Sequence, residues 1–173
     1  RNSQNYKRVN LIHKANEVYL IAFVANKERS SSSSENYLEK NYILEKEQLN
    51  PTITYLAGKN NRINFLYKLS KINNLLGNQE FLNQKQFGIS VFLNQKQNRG
   101  FVSEFNYFKN EFNGNINSII SYVMMNGLQD GENYTWSVRF QQKISKLLDL
   151  NFVYYGRKSE NSRTIHNGSI QLK

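Results

Sequence analysis

Several residue types that mark common functional sites are absent or scarce in this chain of 173 residues. Because there is no cysteine, the sequence excludes a disulfide framework and a thiolate metal site. The two histidines, His13 and His166, have no carboxylate at ligand spacing, so we predict no metal site. Gly127 and Gly131 do not form a phosphate-binding loop, because the Lys-Ser/Thr pair that such a loop requires does not follow them. We therefore predict no catalytic residue, no cofactor and no metal.

Long apolar runs are also missing. The longest covers residues 18–25, whereas a transmembrane helix needs about 20 consecutive apolar residues. Proline occurs once, as Pro51 inside a predicted strand, where it must cost a hydrogen bond of the ladder. The chain begins at Arg1 without a signal-type segment, so we expect a mature or excised segment.

Acidic residues are few compared with basic ones. Lys and Arg total 23 against 13 Asp and Glu, which gives a net charge of +10 and predicts anionic partners. Nucleic-acid binding would place Lys and Arg beside stacking aromatic residues on one surface, but here the two groups occupy opposite strand faces. Outer-membrane lipid, including the phosphates of lipopolysaccharide, is therefore the favoured partner, and nucleic acid is disfavoured.

What the sequence has in quantity is aromatic residues, 11 Tyr and 11 Phe, in alternating patterns. Residues 133–141 place Tyr134, Trp136, Val138 and Phe140 on one face of an extended strand and polar residues on the other. The same alternation returns in residues 148–155 after a short break. Such strands suit either a soluble sandwich or a membrane barrel whose apolar face meets lipid.

On the barrel interpretation, the two faces of the strands have different environments. The predicted lipid-facing residues are Phe65, Tyr67, Tyr134, Trp136, Val138, Phe140, Leu150, Phe152, Ile170 and Leu172. The predicted lumen-facing residues are Lys68, Glu104, Asn106, Arg139, Gln141, Asn151 and Gln171. Within the lumen set, Glu104 could pair with Arg139 or Lys68, although separately solvated charges are the simpler expectation.

The connections between strands favour the barrel. From residue 18 onward they run long, short, long, short, long, short and medium, which is typical of an up-and-down membrane barrel. We therefore predict an all-β, antiparallel, up-and-down transmembrane β-barrel of about 8–10 strands, or the C-terminal part of a larger barrel. Residues 1–173 form one domain, and residues 1–16 are either an extra strand or an N-terminal extension.

Four segments carry a family resemblance. They are residues 51–56 (PTITYL), 127–136 (GLQDGENYTW), 155–159 (YGRKS) and 165–172 (IHNGSIQL). With these segments the chain resembles the C-terminal β-barrel region of large uncharacterised outer-membrane proteins of the Bacteroidota. The resemblance implies a barrel and an outer-membrane location, but no reaction.

The predicted function is that of a membrane-embedded scaffold or anchor in a larger cell-surface or translocation assembly, with other outer-membrane proteins as partners. A small-solute, porin-like pore is the first alternative, and a soluble β-sandwich or lipocalin-like binding module is the second. The chain is predicted not to be an enzyme. An outer-membrane lipid-modifying enzyme is the remaining alternative, because His166 and Ser169 resemble two members of a hydrolase constellation.

Overall fold

The structure, a computed structural model, describes residues 2–35, 41–76, 79–95, 99–145 and 147–173. Within these ranges the chain forms nine β-strands and one short helix. The strands are β1 (Asn2–Lys14), β2 (Tyr19–Ser32), β3 (Tyr42–Ala57), β4 (Asn61–Asn74), β5 (Phe81–Gln95), β6 (Arg99–Asn113), β7 (Gly131–Ser145), β8 (Leu148–Ser159) and β9 (Ile165–Leu172).

All nine strands belong to one antiparallel sheet, in which each strand pairs with the next one in the sequence. The all-β, up-and-down fold is therefore confirmed, and β1 lies at one edge of the sheet. Among the described residues, neither β1 nor β9 has a second partner, so the sheet is open. A closed barrel of eight strands would pair the last strand with residues 18–27, but this pairing does not form, because β2 lies between β1 and β3. The alternative prediction, part of a larger barrel, does not require it.

Two kinds of connection alternate along the sheet, as the sequence predicts. We call the end with the turns 15–18 and 58–60 the short-turn end, and the end with the connections 114–130 and 160–164 the long-loop end. The first turn is fixed by Asn16, whose side-chain oxygen accepts hydrogen bonds from the backbone N–H groups of Val18 and Tyr19, at 2.9 and 2.7 Å. Gly58 has a φ of +78°, a left-handed conformation that suits glycine.

The connection 114–130 contains the only helix among the described residues, α1 (Ile119–Met124). The sequence predicts a long connection over residues 113–132, with residues 118–125 as an alternative extension of the sheet. The long connection is confirmed, but residues 118–125 form no strand. The Ser118 hydroxyl accepts a hydrogen bond from the Ser121 backbone N–H at 3.0 Å and caps the helix. Met124 and Met125 are consequently directed towards the sheet, where they are almost fully buried.

Other strand bounds also differ from the prediction. The polar composition of residues 72–85 predicts a longer loop, but in the structure β4 runs to Asn74 and β5 begins at Phe81. The polar residues at the ends of β4 and β5 hide the alternation of apolar and polar residues in the sequence. In the structure two of them, Asn74 and Gln84, are buried and hydrogen-bonded. The expected irregularity at Pro51 is present as a gap in the ladder, because Asn50 and Pro51 have no paired partners on β4 although the register is the same on both sides of them.

Helices long and apolar enough to cross a membrane do not occur in the part of the chain that the structure describes.

Candidate functional site

The two faces of the sheet follow from its register, because residues directly opposite each other on paired strands lie on the same face. We call the face that carries Gln48, Ser70 and Gln84 the inner face, and the opposite one the outer face. The helix α1 packs on the inner face, where Met124 and Met125 form a small core with Leu44, Ile72 and Leu82.

An apolar belt crosses the outer face from β1 to β9. Rows of directly opposed residues build it, for example Tyr67, Phe87 and Tyr107, followed by Tyr134. Although these side chains are apolar or aromatic, many are exposed, and Phe105 retains 43% of its accessible surface. An exposed apolar surface of this extent needs a covering phase or partner.

Charges on the outer face are concentrated towards the long-loop end. There, paired strands align Lys27 with Glu47, and Lys85 with Lys109. Seven of the nine strands have 13–16 residues, which exceeds the about 9–11 residues that cross a bilayer as a tilted strand. The charges lie on the part of the strands that extends beyond this length, towards the long-loop end. The apolar belt, which lies closer to the short-turn end, is uncharged.

The inner face is polar and hydrogen-bonded. Gln48 donates from its amide nitrogen to the Ser70 hydroxyl at 3.0 Å, and Gln84 donates to the Asn110 side-chain oxygen at 2.9 Å. Near the middle of β6 and β7, a guanidinium nitrogen of Arg139 lies 3.2 Å from a carboxylate oxygen of Glu104. The favoured expectation of separately solvated charges is therefore wrong for Glu104 and Arg139, which form the alternative ion pair, whereas Lys68 makes no ion pair within the described residues.

Basic residues outnumber acidic ones on the inner face of the strands, eight against three. The basic residues are Arg8, Lys14, Lys46, Arg62, Lys68, Arg139, Lys143 and Arg157, and the acidic ones are Glu28, Glu104 and Asp149. At the short-turn end a cavity of about 680 Å³ has Lys59, Arg62, Arg99 and Lys143 in its lining.

The connection 114–130 is tied to the inner face by two buried amides, in addition to its methionines. Asn110 donates to the Gln129 carbonyl at 2.8 Å. Asn133 accepts from the Gln129 N–H at 3.0 Å and donates to the Gln129 carbonyl at 2.8 Å. This segment therefore covers part of the inner face near the long-loop end, a feature that sequence reasoning missed. The signal was present in Ser118, the helix cap, and in the adjacent pair Met124-Met125.

All ten residues predicted to face lipid lie on the outer face, and all seven predicted to face the lumen lie on the inner face. The environment of each face stays a prediction. Sequence reasoning also missed a contact on the outer face, where the Trp136 indole covers Gly156 on the neighbouring strand.

The two histidines are far apart in the sheet, on β1 and β9. His166 stacks on Tyr154 with ring centroids 6.0 Å apart, and its Nδ1 lies 2.7 Å from the tyrosine hydroxyl. Ser169 lies on the opposite face, so it does not join His166 in a hydrolase-like arrangement. In the described ranges, no three His, Cys, Asp or Glu side chains form a group that could hold a metal ion.

Comparison with known proteins identifies a fold but no family. No protein-family profile and no curated protein matches the chain. Among solved structures, the chain is similar to OmpT, an outer membrane protein of Vibrio cholerae that was folded in vitro and determined in its trimer form. The TM-score is 0.64 at 10% identity, and the match covers 98% of this chain and 54% of OmpT.

The chain thus has the fold of an outer-membrane β-barrel, present over the described residues as an open sheet of nine antiparallel strands. It spans about half the length of OmpT.

Proposed function

We propose that the chain is a membrane-embedded scaffold of the bacterial outer membrane, which anchors a larger cell-surface or translocation assembly. The observation that carries this proposal is an apolar belt across a sheet whose two edge strands, as described, lack an outer partner. In hydrocarbon each unpaired backbone group costs several kcal/mol, so further strands must cover β1 and β9.

Strand parity supports the same proposal. Eight successive antiparallel pairings give β1 and β9 the same direction, so the two could pair directly only as parallel strands. Bacterial single-chain barrels have an even number of antiparallel strands. To close into a barrel with only antiparallel pairs, the sheet needs an odd number of additional strands between β9 and β1. The nine strands are then a section of a larger barrel.

Partners follow from the same geometry. The basic side chains above the belt favour the phosphates of outer-membrane lipid, including lipopolysaccharide. The connections of the long-loop end are the surfaces on which other outer-membrane proteins of the assembly would dock. The likeness to OmpT supports the fold and the location of this proposal, and the anchoring role rests on the geometry alone.

The proposal is tested with the full-length protein in vesicles. We expect it to require detergent for solubility and to migrate faster on gels before boiling than after, as folded barrels do. A soluble, monodisperse protein without detergent would refute the membrane location. An anchor should also add no ion conductance to a planar bilayer, since the connection 114–130 covers part of the inner face.

A second candidate function is a pore that prefers anions. It is favoured by the excess of basic residues on the inner face, eight against three acidic ones, because such a lining raises the local concentration of anions. Stepwise conductance with a reversal potential displaced towards that of chloride would support this function over the anchor. Replacing Lys46 and Lys68 by glutamate should then shift selectivity towards cations, whereas an unchanged selectivity would exclude a pathway along this face.

A further inference from the structure

A groove on the outer face lies at the border between the apolar belt and the charges above it. It has a volume of about 630 Å³ and crosses β1, β2, β3 and β4. Its floor is apolar, and its depth comes from Ala25, a small residue between Val9 and Leu49 on the neighbouring strands. Leu69 continues the floor on β4.

The rim of the groove towards the long-loop end is basic. Lys7, Lys27 and Lys71 line it, together with Glu47. The Lys27 ammonium is held by two acidic residues, at 3.1 Å from a Glu45 oxygen and 2.9 Å from a Glu47 oxygen. Among the described residues, no carboxylate lies within 4.0 Å of the Lys7 or Lys71 ammonium, although Glu47 lies directly opposite Lys71 and attracts it over a longer distance. Lys7 has no acidic residue opposite it on β2, so its charge is available to an external anion.

We infer that this groove binds an anionic, phosphate-bearing membrane lipid, with an acyl chain over Ala25 and the phosphate between Lys7 and Lys71. The inference rests on the proposed membrane location. An acyl chain matches the floor because the groove is continuous with the belt, and a phosphate matches the rim by charge. Lys7 also lies directly opposite Lys27, so two ammonium groups border the same end of the groove.

The occupant is a lipid rather than free phosphate, because the apolar floor suits an acyl chain and the basic rim suits a phosphate, and a lipid carries both. Lysine alone provides weak, salt-dependent attraction for a surface anion, worth roughly 1 kcal/mol per side chain near a membrane. A groove that holds the chain of the same molecule adds the burial of apolar surface.

The experiment is native mass spectrometry of the full-length protein in detergent, titrated with phosphatidylglycerol and, in parallel, with phosphatidylcholine, which has no net charge. We expect one tightly bound phosphatidylglycerol that inorganic phosphate does not displace. The double variant Lys7→Gln/Lys71→Gln should weaken its binding by about 10–30-fold. Ala25→Phe, which fills the groove and keeps every charge, should abolish the tight site.

The matched control is Lys85→Gln/Lys109→Gln, which removes the same charge from opposed lysines on the outer face but away from the groove. This control should leave tight binding unchanged. An equal loss in both double variants, or full binding by Ala25→Phe, would mean only general attraction of anions and would overturn the inference. Displacement of the lipid by inorganic phosphate would also overturn it. A protein that inserts into vesicles and shows heat-modifiable migration, but has no tight site, refutes this inference without affecting the proposed scaffold.

Discussion

At the scale of single residues, the face that a side chain occupies decides its role. Ile89 and Ser90 are neighbours on β5 with similar burial, but Ile89 lies in the apolar belt opposite Phe65 and Phe105. Ser90 is on the inner face, where its hydroxyl accepts a hydrogen bond from Asn64 at 3.3 Å. Two residues that are adjacent in the sequence therefore have different environments, a predicted lipid environment for Ile89 and a polar one for Ser90.

We predict that Ile89→Arg destabilises the protein in vesicles by about 2–4 kcal/mol, the cost of arginine on the lipid face near the midplane. Ser90→Arg should cost less than about 1 kcal/mol, because solvent reaches the inner face. Urea unfolding in lipid, followed by tryptophan fluorescence, measures both values. The reverse order would exchange the environments assigned to the two faces.

The contact between Trp136 and Gly156 is a second effect of a single residue. A Cβ atom added at position 156 would lie 2.1 Å from Cε2 of the indole, which is a prohibitive distance. At Gly100, in contrast, the described part of the chain has no atom within 4 Å of the corresponding position. Glycine at 156 is therefore required by the ring above it and not by the backbone.

We predict that Gly156→Ala costs about 1–3 kcal/mol of unfolding free energy, as expected for overpacking. Gly100→Ala is the control and should change stability by less than about 0.5 kcal/mol. The double variant Gly156→Ala/Trp136→Leu should lose less stability than the sum of the single variants, because the clash is then absent. Additive effects would show that the ring is not the cause.

At the scale of elements, the connection 114–130 behaves as a unit attached to a preformed sheet. It is held by the buried methionines Met124 and Met125 and by the amides of Asn110 and Asn133. Its packing is independent of the apolar belt, which lies on the opposite face of the strands. Loosening this connection should therefore leave the apolar belt intact.

We predict that Met124→Ala destabilises the packed connection by about 2–5 kcal/mol, because it opens a cavity in the small core. Amide hydrogen exchange in residues 114–130 should accelerate, while β2 to β5 remain protected and insertion is unchanged. Ile119→Ala, at a side chain that is 40% exposed, is the control and should have little effect. Loss of insertion in Met124→Ala would show that the connection is part of the folding core instead.

At the scale of the whole molecule, β1 and β9 run in the same direction, and this determines how the sheet can close into a barrel. An odd number of antiparallel strands cannot close on itself through antiparallel pairing. The absence of cysteine provides a clean background in which this can be tested by crosslinking.

We predict that cysteines at Ala25 and Leu49, which are directly opposed on β2 and β3, form a disulfide in vesicles. Cysteines at Val9 and Ile170, on the outer faces of the edge strands β1 and β9, should not. Gel mobility under non-reducing conditions measures both outcomes. A bond between Val9 and Ile170 would demonstrate closure at nine strands, with one parallel pair, and would remove the need for further strands.

The sequence by itself determined the two faces of the strands that alternate clearly, since a period of two places alternate residues on opposite sides whatever the tertiary structure. Tyr134 to Phe140 show this pattern clearly, so the outer face was predictable from them. Pro51 was likewise predictable as an interruption of the ladder, because proline lacks an N–H wherever it lies.

Only the tertiary structure decided the features that depend on residues distant in the sequence. The groove over Ala25 requires the register of four strands, and the cover over Gly156 requires the pairing of β7 with β8. The burial of Asn74, Gln84 and Asn133 depends on hydrogen bonds with Ile43, Asn110 and Ser159, which belong to other strands. Polar residues of this kind suggest a loop when they are considered locally, and they become part of a strand or core only when distant chain segments satisfy their hydrogen bonds.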